Sequence, residues 1–279
     1  AEGNALFTRL EAEGEKSPAD VLITVDAVTL ARAAEKDLFQ EVDSEILDEK
    51  IPAVYREADE GWYGFTLRPR IIAYSEAKGL PEGVDSYSDL ADEKLKGMVC
   101  TRSSSSGYSL SFLSFLVADD GREKALDWTK GFTANFARQP QGNDTAQLQA
   151  LASGECRLAL VNSYYVGKML LSEDAKEKAL GEGIGLVFPD ETFANLSAGG
   201  VARNSRNVEG AVKFLEFLAS EQAQEMMASQ NAENPVVKGV NMPDTLKDMA
   251  DFDAASLDIE AIGKAAPEAL AVAEEAGWR

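Results

Sequence analysis

The chain has 279 residues, 45% of them hydrophobic, with 48 acidic against 27 basic residues and a formal charge of -21 at pH 7. That length admits two domains of ordinary size with a real core, and the acidic excess opposes binding to nucleic-acid phosphates or anionic lipid while tolerating cationic ligands. No histidine is present, which removes Ser-His nucleophile activation, histidine acid-base steps and the usual histidine-containing zinc sites, so a bound metal would be held mainly by oxygen and would be a hard cation such as Mg, Ca, Mn or ferric iron.

In chain order, the opening "AEGNALFTRL" lacks a start Met and reads as a processed or clipped end. A helix is expected over 4–13, and a short apolar strand over 21–25 follows the Ser-Pro turn signal in "SPADVLITVD". Helix returns over 27–39. "GWYGFTLRPRIIAYS" reads as one long β segment, with Pro69 marking an edge or a kink. A capped helical turn in "SYSDLADEKLKG" precedes the strand "GMVCTR"; two helices over 110–136 and a third in "DTAQLQALASGE" lead to the strand "CRLALVN". Two similar βα-rich regions thus flank the long β segment, and a second crossing near "FANLSAGGVARN" would return the chain to the first of them. One amphipathic helix is then expected over 208–230, with Val212, Leu215, Phe217 and Leu218 near one face. The alternation of helix and strand predicts an α/β fold with largely parallel sheets. On that reading the strand at Val21 has no preceding strand to pair with, so it is either an edge or lacks its partner. No run approaches the roughly 18 apolar residues of a membrane helix, and no membrane insertion is expected.

Cys100 and Cys156 each sit on an apolar segment. They read either as two separate buried thiols or, in an oxidising compartment, as a disulfide between neighbouring strands.

The stretches "SPADVLITVDAVTL", "GFTLRPRIIAYS", "GMVCTRSSSSGYS", "ANFARQPQGNDTAQ", "GECRLALVNSYYVGKML", "NLSAGGVARNSRNVEGAVKFLEFLASEQAQ" and the closing "EEAGWR" together resemble the periplasmic ferric-iron-binding proteins of bacterial ABC importers, including their cyanobacterial iron-uptake relatives, in register from about Glu2 to Arg279. The resemblance implies a two-lobed periplasmic binding-protein fold of type II, each lobe a mixed sheet flanked by helices and joined by β-strand hinges. One lobe would comprise 1–73 with 194–279 and the other 74–193. It implies a periplasmic, monomeric, non-enzymatic protein that hands ferric iron to an ABC permease. Family members begin with a strand, a helix and a second strand that have no counterpart ahead of Val21, which accounts for its missing neighbour.

Tyr164 and Tyr165 match the family's paired iron-ligating tyrosines, and Tyr108 in "SSSSGYS" matches the third of the cyanobacterial type. The chemistry agrees: a phenol with an ordinary pKa near 10 gives up its proton near neutrality only to a strongly Lewis-acidic cation, and the resulting phenolate favours the ferric state. Read alone, a tyrosine pair is more often one packed phenol and one reaching water. Arg102 and Thr101 adjoin a Ser-Gly-rich loop suited to an anion, and some relatives complete the iron shell with a synergistic carbonate; the serine run reads equally as a solvated loop with a helix cap. Asp26 ends the strand "VLITV", where ligands gather in α/β folds. The family's glutamate ligand falls at Val25 in this register, so Asp26 is expected behind the ligands or as a helix cap. Of Arg68 and Arg70, one would face the cleft and balance phenolate charge, ion pairing between lobes being the other reading. In "QGNDTAQ", Asp144 is the expected N-cap with Asn143 beside it. A binding protein of this fold for a small organic molecule or oxyanion is the alternative; an enzyme with a serine nucleophile lacks both a histidine and a nucleophile elbow.

Overall fold

The computed structural model describes residues 3–57, 59 and 61–279. Ala1 and Glu2, where the family match and the first lobe are expected to begin, lie outside the described residues.

Helix α1 (Gly3–Glu13) leads into strand β1 (Val21–Thr24) and helix α2 (Ala27–Glu35). The helix expected to reach residue 39 stops at Glu35, because Asp37 adopts a left-handed backbone with φ of 51°, a conformation that a short polar residue tolerates and a helix cannot continue through. Helix α3 (Glu45–Lys50) and the short strand β2 (Arg56–Glu57) precede the long strand β3 (Trp62–Ser75). Strand β4 is reduced to Val99–Cys100, and is followed by helices α4 (Gly107–Asp120), α5 (Arg122–Ala134) and α6 (Asp144–Ser153). Strand β5 (Leu158–Asn162) runs directly into helix α7 (Ser163–Leu171), then helix α8 (Ala175–Glu182) and strands β6 (Ile184–Val187) and β7 (Ala194–Val201). The single helix expected over 208–230 is two, α9 (Val208–Leu218) and α10 (Glu221–Asn231), because Ser220 breaks the chain and caps the second by accepting from Ala223 N. Leu215 is buried while Phe217, two residues and about 200° further round the helix, is 44% exposed. Strand β8 (Asn234–Pro235) and helix α11 (Ile259–Glu275) complete the fold.

The expectation of largely parallel sheets is overturned. Strand β3 pairs antiparallel with β7 over Tyr63 to Pro69, and then with β5 and β6 from Arg70 onward; the parallel pairing is β4 with β5. One long strand thus serves as the shared spine of two sheet regions. Pro69 sits where the partners change. It carries no N–H to donate, so the ladder can hand over there without an orphaned donor. The Tyr87 hydroxyl clamps the next residue, donating to the Arg70 carbonyl and accepting from Phe193 N. Strand β1 pairs antiparallel with β7, Val21 opposite Val201, so its neighbour comes from far along the chain.

The β5 segment is buried throughout and packs in a core with Cys100 and Cys156, which are joined as a disulfide with Cα atoms 5.9 Å apart. The bond ties the approach to β5 to β4, beside their parallel pairing. At the chain end, Trp278 is buried against Phe132 and Phe136. Its Nε1 donates to the Arg102 carbonyl, and Ser104 Oγ donates to the Trp278 carbonyl. The closing segment therefore holds the loop after β4 in place. No helix among the described residues is long and apolar enough to cross a membrane.

Candidate metal centre

Tyr164 and Tyr165 are the second and third residues of α7, immediately past the end of β5. On a strand their side chains would oppose each other; on the first turn of a helix they diverge by only about 100°. Their rings accordingly lie against one another, with centroids 4.3 Å apart and planes inclined by 33°. Tyr108 stands at the same point of another helix, the second residue of α4. Its hydroxyl is 3.5 Å from that of Tyr164. Two helix starts thus bring three phenols together.

Arg68, from β3, completes the cluster. Its Nη1 donates to Tyr108 Oη at 2.9 Å, its Nη2 to Glu233 Oε1 at 2.9 Å, and its guanidinium carbon lies 5.4 Å from the centroid of the Tyr164 ring. Burial opposes the charge on Arg68, but the carboxylate of Glu233 and the oxygens of Tyr108 and Tyr164 hold its pKa above the ordinary arginine value. Lys168, one helical turn after Tyr164, places its ammonium 5.4 Å from the same ring. Tyr164 itself is 8% exposed. Burial, followed by its contacts with Tyr108 and Tyr165, pushes its phenol well above the ordinary tyrosine value. The phenol is therefore protonated at neutral pH and yields its proton only to a strong Lewis acid held among these oxygens.

The remaining sequence candidates divide. Arg102 lies over Tyr108, its guanidinium carbon 5.2 Å from the ring centroid, and its Nη1 is 3.5 Å from Asp144 Oδ1. Thr101 is buried, and its Oγ1 has no hydrogen-bond partner. Asp26 caps α2, accepting from Thr29 N at 2.8 Å and Thr29 Oγ1 at 2.9 Å, and also accepts from Ser111 Oγ at 3.3 Å. Its carboxylate is thus committed to holding α2 against α4. In the serine run, Ser106 occupies the cap position of α4 but makes no capping bond, so the expected side-chain cap is absent. Asn143, rather than Asp144, caps α6 by accepting from Ala146 N. Arg70 is fully buried against Asp144, with Asn162 Oδ1 as its other side-chain partner.

Glu233 and Lys168 were missed from sequence. Helical spacing points to Lys168, four residues past Tyr164. Nothing local points to Glu233, which reaches Arg68 only because β8 pairs beside it on β3, Leu67 opposite Asn234. Among the described residues no three His, Cys, Asp or Glu side chains group to hold a metal; the oxygens that converge are phenolic.

The profile of the bacterial extracellular solute-binding proteins matches residues 2–254. Iron uptake protein A1 of Synechocystis sp. is 46% identical over 284 residues, covering 100% of this chain and 79% of that protein. A Trichodesmium protein solved in complex with iron and citrate ligands is similar at a TM-score of 0.94 and 40% identity, covering 100% of this chain and 90% of that one. The ferric binding protein from Campylobacter jejuni is similar at a TM-score of 0.95 and 34% identity, with the same coverage of both chains.

Proposed function

This chain belongs to the bacterial extracellular solute-binding proteins and has their two-lobed type II fold, and on that premise we propose that it captures ferric iron in the periplasm and delivers it to an ABC permease. The observation that carries the reading is the convergence of three phenols from two helix starts, with the Tyr108 and Tyr164 hydroxyls 3.5 Å apart and the Tyr164 and Tyr165 rings in contact. Tyr108, Tyr164 and Tyr165 are the iron ligands. Phenolate oxygens are hard donors, and three of them offset the cargo's triple charge and favour ferric over ferrous iron.

Arg68 and Lys168 lie beside the phenols and stabilise them as they lose their protons to the metal. An accompanying carbonate would lie against Arg102 and the unpartnered Thr101 hydroxyl. The lobes are 1–73 with 194–279, and 74–193; the change of β3 partners at Pro69 and Arg70 supports a hinge close to that boundary. All three ligands belong to 74–193, and Arg68 of the other lobe donates to Tyr108; phenolates that form on loading attract this cation and favour the closed arrangement, which the permease reads as loaded. The protein acts as a monomer and makes and breaks only metal-ligand bonds; acidification or reduction to ferrous iron releases the cargo.

The test is a visible spectrum. Wild-type protein given ferric citrate is expected to turn red-orange through phenolate-to-iron charge transfer. Tyr164→Phe or Tyr165→Phe should abolish or strongly weaken that colour. A wild-type protein that stays colourless would overturn the reading.

A further inference from the structure

The carboxylate of Asp144 holds the end of β5, two residues before Tyr164, and reaches Arg102 in the loop after β4. Asp144 is completely buried. Its Oδ2 accepts from the backbone N–H of Asn162 at 2.8 Å and from Arg70 Nη1 at 2.9 Å. Its Oδ1 lies 3.5 Å from Arg102 Nη1. Arg70 Nη1 also donates to Asn162 Oδ1 at 3.1 Å. Asn162 is the last residue of β5 and the cap position of α7, yet its side chain makes no capping bond.

We propose that Asp144 is a positioning residue for the iron ligands, fixing the start of α7, and with it Tyr164 and Tyr165, relative to the Arg102 loop that packs on Tyr108. This inference rests on the ferric reading above. A helix start is ordinarily held by its own cap residue. Here the side chain of Asn162 is taken by Arg70, and its backbone N–H is held by a carboxylate from α6. The same carboxylate reaches Arg102, whose guanidinium lies over the Tyr108 ring. One buried group thereby connects both helix starts that supply phenols. An ion pair serving the core alone would need Arg70; it would need neither the amide two residues before Tyr164 nor a second cation from the opposite loop. The pairing also cannot rearrange at low cost, because Arg70 is fully buried and its Nε and Nη2 have no partner, so Asp144 is its counterion.

Two variants test this. Asp144→Asn keeps the size of the side chain and removes its charge. Arg70→Met combined with Asp144→Asn removes both completely buried charges, leaving only the partly exposed Arg102 without that carboxylate. Folding is followed by thermal unfolding, ferric affinity by competition with a chelator, and site geometry by the position of the charge-transfer band. The double variant is expected to fold, to bind ferric iron about 10- to 100-fold more weakly, the range for groups that orient metal ligands, and to show a displaced band. Wild-type affinity and an unmoved band in either folded variant would overturn the inference, and so would loss of fold in both, which would make Asp144 a residue of the fold alone. A colourless wild-type protein would instead remove the ferric reading itself.

Discussion

Arg68 holds Tyr108 with one arm of its guanidinium and Glu233 with the other, each at 2.9 Å. A phenol from the start of α4 is thereby tied to the spine strand β3 and, through Glu233, to the residue before β8. Thr66 Oγ1 and Ser197 Oγ donate to the Glu233 carboxylate as well. The cation beside the phenols is thus fixed from behind.

Removing Glu233 leaves Arg68 nearly buried and without its counterion. Glu233→Ala is expected to destabilise the fold by about 3–5 kcal/mol, the usual cost of breaking a buried pair from one side. Arg68→Met combined with Glu233→Met should recover much of that loss. Urea unfolding of the two variants measures both quantities, and a small effect in the single variant would mean that the pair is solvated.

Ferric affinity should fall with pH. The sign follows from Tyr164, whose pKa burial and its phenol neighbours raise above the ordinary tyrosine value. Before iron arrives the group is protonated across the physiological range, so loading releases its proton and acid competes with the metal. Each proton released contributes about a tenfold loss of affinity per pH unit below the phenol's pKa. Chelator competition at pH 8, 7 and 6, corrected for titration of the chelator, should show a continuous decline; a flat profile would exclude proton release from the phenols.

The disulfide between Cys100 and Cys156 closes a chain segment with a sequence separation of 56. Replacing both cysteines with serine is expected to cost about 2–4 kcal/mol, chiefly through greater freedom of the unfolded chain. Denaturant titration of the variant against the oxidised protein checks this, and equal midpoints would show that the bond adds nothing.

Local pattern made much of this protein legible. The apolar run of β5 and the tyrosines after it mark a strand ending in a turn, and Pro69 marks an edge or a kink in β3, which the structure makes the point where its partners change. The position of Asp26 after β1 reads as either a group behind the ligands or a helix cap, and the structure makes it the cap of α2. The break at Ser220 lies inside an unbroken amphipathic pattern and shows only in the fold; Asn143 caps α6 as a capping residue should, whereas Asp144 does not, because adjacent polar residues compete for one cap and the choice depends on which finds a buried partner. For Asp144 that partner is Arg70, 74 positions away in sequence.

By itself the sequence determined the chemistry on offer: without histidine, and with an acidic excess and three tyrosines at strand-to-helix junctions, a metal site here is built from oxygen. Those are properties of residue type and nearest neighbours, which the chain carries whatever its fold. Only the tertiary structure decided which groups meet. The antiparallel pairing around β3, the contact of Arg68 with Tyr108 and Glu233, and the hold of Asp144 on Asn162 all join residues far apart in the chain. Such contacts depend on the register of strands and the packing of helix starts, which no local stretch of sequence encodes.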